Sequence, residues 1–258
     1  MANPTLQKQF GSLPPVDGTV DATLSTANTP VAMGSDTPMT IGGTSAKTAF
    51  LLILVLAAGS WGWTLVSDTG QIDIPVWWFF ALIGAVVLAI VTAFKPQIAI
   101  VTGPLYAITQ GVLIGAISHI YEAEFDGIVI QALLATASVF IVMLVLFVTR
   151  TIKVTNKLRG IIIGATFGIM LFYLASILLS LFGTTIPLVW DSGAFGIGFS
   201  LFVVAIAAFN LMLDFDLIER GVQAGAPRFM EWFGAFSLMV TIVWLYIEIL
   251  RLLSKLRD

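Results

Sequence analysis

Within eleven residues the chain places Asn210, Asp214, Asp216, Glu219 and Arg220, and Glu231 follows after eleven more. On a helix, Asn210 and Asp214 are four apart and share a face; Asp216 and Arg220 are also four apart and can pair. Crowded carboxylates have two chemical uses. Like charges that share a site hold a proton between them, which makes a pH sensor. Oxygen clusters also suit Ca²⁺, with Asp214 the candidate ligand. Arg220 and Arg228 are the expected counter-charges. Glu248 stands 17 residues beyond Glu231, about 25 Å along a helix. It is therefore expected near the opposite membrane face from Asp214, neutralised by Arg251 three residues on. Thr109, Gln110 and Thr241 are further polar residues in apolar surroundings. A solvated helix end laced with salt bridges is the plainer reading of Asp216, Glu219 and Glu231.

Enzymatic chemistry finds little support. The chain has no cysteine and one histidine, His119, which excludes disulfides, thiolate metal sites and multi-histidine metal centres. There is no G-x-S-x-G, Walker or dinucleotide-binding fingerprint. A net charge of -3 offers no basic face to nucleic acid. We expect neither an enzyme nor a resident cofactor.

The elements that position these residues are read from composition. Of 258 residues 58% are hydrophobic and 10% charged, where a soluble domain carries about 25% charge. Seven apolar runs span approximately 48–66, 75–94, 98–120, 128–149, 160–182, 194–215 and 230–253. Each is near the roughly 20 residues that cross a bilayer as a helix. The expected fold is an all-α membrane protein, a seven-transmembrane-helix bundle over 48–258. It follows a disordered cytoplasmic tail, 1–47, rich in Pro, Thr, Ser, Gly and Asp. Loop charges fix the orientation. Lys8, Lys47, Lys95, Arg150, Lys153, Lys157, Arg159, Arg220 and Arg228 fall on one side. The other loops carry Asp68, Asp73, Glu122, Glu124, Asp126 and Asp191 instead. This places the N-terminus in the cytoplasm. Trp61, Trp63, Trp77, Trp78, Trp190 and Trp232 suit the membrane interfaces. Arg251, Lys255 and Arg257 oppose the charge rule, and a spanning seventh helix is preferred to a re-entrant one. Gly160, Gly164 and Gly168, and likewise Gly111 and Gly115, form small-residue faces expected to pack within the bundle. Pro96 and Pro104 are expected to cap or bend the third helix.

Several segments resemble the transmembrane Bax inhibitor motif family, most closely its bacterial, YccA-like branch. They are Asp214-Phe-Asp216-Leu-Ile218, Ile249-Leu-Arg251-Leu-Leu253, and Pro104-Leu-Tyr106-Ala-Ile-Thr-Gln110-Gly111-Val-Leu-Ile-Gly115 followed by Gly127-Ile-Val-Ile-Gln131-Ala. The resemblance covers roughly 45–255. It implies seven helices with the last at the centre, and a pH-dependent calcium leak. It also implies a sensor of two aspartates, one ending helix 6 and one within helix 7. The first matches Asp214, where the family reads Asp-Thr-Gln and this chain reads Asp-Phe-Asp. The second falls on Thr241, which is no carboxylate, so Asp216 or Glu231 is the expected substitute. A membrane-protease partner is implied for the YccA-like branch.

The function expected from these readings is a pH-sensitive Ca²⁺ leak channel of the plasma (inner) membrane. Its gate is the set of carboxylates at the end of helix 6, and Ca²⁺ or protons are its passengers. The alternative is a non-transporting regulator that binds a membrane protease or other membrane partners.

Overall fold

A computed structural model describes residues 37–66, 76–183 and 192–258. It contains α1 (Ile41–Trp63), α2 (Val76–Phe94), α3 (Ala99–Glu124), α4 (Ile128–Val148), α5 (Asn156–Leu181), α6 (Ala194–Gln223) and α7 (Phe229–Arg257). The described residues hold no strand, only an isolated bridge between Pro38 and Pro227. Residues 1–36 of the expected tail, with Lys8, Asp68, Asp73, Trp190 and Asp191, lie outside the described residues. Among the described residues six helices are long and apolar enough to cross a membrane, and a further apolar stretch, Phe80–Phe94, lies within the 19 residues of α2.

Helix ends differ from the apolar runs wherever polar residues do the capping. α1 starts at Ile41 rather than Thr48, because the Thr40 hydroxyl accepts from the Gly43 amide at 2.9 Å and satisfies an end donor. Thr155 caps α5 in the same way, accepting from Leu158 N at 3.2 Å. Pro96 opens a 3₁₀ turn, Pro96–Ile98, ahead of α3, and Pro104 sits inside that helix. Between α3 and α4, Glu122 accepts from the amides of Gly127 (2.8 Å) and Val129 (3.0 Å). A carboxylate there complements the positive end of α4.

Burial separates a core from a shell. In the central apolar window 67% of α7 is buried, 56% of α3 and 44% of α6; α1, α4 and α5 reach 22%, 22% and 17%. α7 is thus the axis of the bundle. Phe94, Phe182 and Phe195 are more than four-fifths exposed, as side chains facing lipid are free to be. The two glycine faces part company. A Cβ on Gly111 would meet the Val55 carbonyl oxygen at 2.6 Å, and one on Gly115 would run into the backbone of Gly59. These glycines let α1 and α3 touch backbone to backbone. Nothing lies within 4 Å of a Cβ on Gly160, Gly164 or Gly168. Packing of that face within the bundle is therefore not observed: spacing alone does not say which face turns inward.

α7 is one unbroken helix of 29 residues, about 42 Å long. Its first turn meets the start of α1, where Glu231 accepts from Thr40 N at 2.9 Å. Near its end, Lys255 donates to Gly196 O at 3.1 Å at the start of α6. Arg257 donates to Asp126 O and Gln131 Oε1, both at 2.9 Å, at the start of α4. It therefore runs from one end of the bundle to the other and does not turn back. Arg251, Lys255 and Arg257, which break the charge rule, are all held by acceptors of the bundle.

Candidate functional site

Asp214 is buried in α6, facing α7. Its Oδ1 accepts from the Ser237 hydroxyl at 2.6 Å. The Thr241 hydroxyl, one turn on, faces the same carboxylate and donates to Ser237 O at 3.2 Å. Oδ2 is buried without a hydrogen-bond partner. No lysine or arginine among the described residues pairs with Asp214.

The other carboxylates at this end each hold cations of their own. Asp216 pairs with Arg159 of α5 and, at 2.8 Å, with Arg220. Glu219 pairs with Arg150 from the α4–α5 connection, and hydrogen bonding to that carboxylate shifts the exposed guanidinium upward from its ordinary value. Glu231, 2% exposed, pairs with Lys47 of α1, accepts from the amide and hydroxyl of Thr40, and lies 3.9 Å from Arg228. The six expected residues are thus brought to one half of the α6–α7 pair, but the four carboxylates do not form one cluster. Arg220 and Arg228 do act as counter-charges. Lys47, Arg150 and Arg159 share the task and went unforeseen, because they arrive from other helices. Among the described residues no group of three or more Asp, Glu or His gathers as a metal site. Asp216 and Glu231, already neutralised, are poor stand-ins for a second sensing carboxylate.

Polar contacts continue along the helix interfaces. Asn210 donates to Thr166 Oγ1 at 2.8 Å and to Ile206 O at 2.9 Å. On α5, Arg159, Thr166 and Tyr173 recur every seven residues, one face of a helix. All three bond into this seam: to Asp216, to Asn210, and to Glu248 at 3.0 Å. That spacing was the one sequence signal available for them. Asp214 Oδ2 and Ser200 Oγ of α6 and Arg251 Nε of α7 are buried polar atoms without a hydrogen-bond partner, where buried polar atoms normally find one. His119, by contrast, stacks edge-on against Trp63 at 5.0 Å, as expected of an interface residue.

The family model described as Bax inhibitor 1 like matches residues 3–258. The chain belongs to the Bax inhibitor 1 like family. The match reaches through the N-terminal residues that the resemblance had left outside. Neither the curated proteins nor the solved structures give a match. Family membership and the apolar helices together make this a membrane protein.

Proposed function

We propose that this chain is a pH-sensitive Ca²⁺ leak channel whose pathway follows the α6–α7 seam and whose gate is Asp214. One observation carries the reading: of the four carboxylates at this end, Asp214 alone is buried with no cation beside it and with one oxygen unpartnered. Its charge is therefore not compensated locally, and gain or loss of a proton there changes how α6 sits on Ser237 and Thr241 of α7. A buried ionisable group in a membrane helix is costly and is retained where it acts on ions or protons. The braced carboxylates around it hold α1 to α7 and α5 to α6 while that contact switches. The N-terminus lies in the cytoplasm of a plasma-membrane protein with seven spans, as the loop charges suggest.

The test is Ca²⁺ flux into proteoliposomes holding a calcium indicator, for the wild type and Asp214→Asn, between about pH 5 and 8. The expected result is a wild-type flux that varies with pH and a variant flux that does not. Folded wild type with no flux above empty vesicles removes the channel reading and favours a regulator that binds a membrane partner.

A further inference from the structure

A second buried carboxylate lies on the seam. Glu248 is 2% exposed and stands eleven residues beyond Ser237 on α7, about 16 Å along the axis. Its Oε1 accepts from Trp244 Nε1 at 3.2 Å, and both its oxygens lie at 3.2 Å from Arg251 Nη1. The Tyr173 hydroxyl of α5 is 3.1 and 3.0 Å from the two oxygens and itself accepts from Arg251 at 2.8 Å. The guanidinium lies 5.0 Å from the Tyr173 ring. Tyr121 of α3 also faces Arg251.

Register ties this cluster to the pathway. On α7, Ser237, Thr241, Trp244, Glu248, Arg251 and Lys255 follow one another at steps of four and three, a single stripe. α6 meets that stripe at two places: Asp214 at Ser237, and Gly196 at Lys255. Two helices of equal rise running antiparallel between those contacts bring Ser200 level with Arg251, and Val203 level with Glu248. Ser200 Oγ and Arg251 Nε are both buried and unpartnered. Buried polar atoms without a partner thus occur at two levels: an oxygen of Asp214 itself, and Ser200 Oγ and Arg251 Nε near the level of Glu248.

We infer that Glu248 is the second cation station of the pathway, nearer the C-terminal end of α7, with Arg251 as its displaceable occupant. This rests on the leak reading above. The carboxylate that position 241 lacks is supplied two turns further along the same stripe. A buried ion pair is a weak packing device, since apolar side chains of similar volume hold helices together as well or better. Here the guanidinium holds a second partner at the same time as the carboxylate. Tyr173 offers Arg251 both its hydroxyl and its ring face, so the guanidinium has somewhere to rest when a divalent cation takes its place on Glu248. With Arg251 on the carboxylate the station is closed; with Arg251 on Tyr173 alone it is open.

The experiment uses the full chain in proteoliposomes of defined orientation, with Ca²⁺ offered from either side. Glu248→Gln is expected to raise the half-saturating Ca²⁺ about tenfold or more from the side of the α7 C-terminus, the factor that loss of one charge-assisted contact gives. From the opposite side it leaves the value unchanged, and Asp214→Asn shows the reverse sidedness. Glu248→Asp restores most of the wild-type value. A purely structural pair would instead lower the unfolding midpoint and weaken flux from both sides alike. Should Glu248→Gln fail to fold, Tyr173→Phe carries the test, because it keeps the charge and removes the hydroxyl that holds Arg251; it shifts the same side only. Wild-type flux with no sided change in these variants overturns the second station and leaves the leak standing. Absence of wild-type flux overturns both.

Discussion

Removing the charge of Lys47 tests how the start of α7 is held. Glu231 is 2% exposed, and Lys47 is itself mostly buried, its side chain 16% exposed over the Trp232 ring. Lys47→Met keeps the length of the side chain but leaves a buried carboxylate. Two contacts from Thr40, at 2.9 Å each, remain. Arg228 at 3.9 Å is 68% exposed and screened by solvent. Breaking a buried pair costs about 3–5 kcal/mol; with Thr40 still donating, we expect about 2–4 kcal/mol. At roughly 2–4 °C per kcal/mol for a chain of this size, the unfolding midpoint in detergent falls by about 5–15 °C. Glu231→Gln alone is also destabilising, because it loses the same charge-assisted bonds. The double variant removes the orphaned charge, so it costs less than the two single changes added, by about 1–3 kcal/mol. Tryptophan fluorescence during thermal unfolding reads all three. A fall of less than about 2 °C for Lys47→Met, or strict additivity in the double variant, would refute the reasoning.

Two further predictions concern the seam and the core. Thr241→Asp places a second carboxylate against Asp214; two acids sharing a site titrate as a coupled pair. The pH profile of Ca²⁺ flux should therefore change from one step to two, and a profile identical to wild type would mean that position 241 does not act on Asp214. Gly115→Leu drives a side chain into the Gly59 backbone of α1 and should lower stability by about 1–3 kcal/mol or more, as overpacking does. Gly164→Leu on the open α5 face should leave the unfolding midpoint of the monomer unchanged.

The helices were legible because lipid leaves backbone groups no partner but each other. Their polar ends were not. Thr40 starts α1 inside a stretch that composition assigns to the tail, and α7 runs to Arg257 through basic residues that a search for apolar runs discards. Asp214 was legible from its place at the end of the apolar run 194–215, and Asp216–Arg220 from its spacing. The decisive cations were not, because they come from afar: Arg159 lies 57 residues before Asp216, Arg150 69 before Glu219 and Lys47 184 before Glu231. Such partners follow from tertiary arrangement, which a single sequence does not encode at fixed spacing. The glycine faces show the same limit, since α3 and α5 carry one pattern with opposite outcomes.

The arrangement of charge says where this bundle can move. At the end near Asp214, five cations brace three carboxylates: they tie α1 to α7, and α5 and the α4–α5 connection to α6. At the other end Lys255 and Arg257 fasten α7 to the starts of α6 and α4. Among the described residues no ion pair joins α6 to α7 at the first end, whereas Lys255 joins them at the second. Between the two ends the polar contact of α6 with α7 is Asp214 on Ser237, with Thr241 one turn on, set among buried apolar side chains of both helices. The Ser237 bond is charge-assisted while Asp214 is ionised and falls to roughly half that strength once the carboxyl is neutral, so gain of a proton there loosens the contact. A gate here opens as a change in the α6–α7 contact within a clamped frame, not as a swing of whole helices. That is the motion which a single uncompensated charge at Asp214 is able to control.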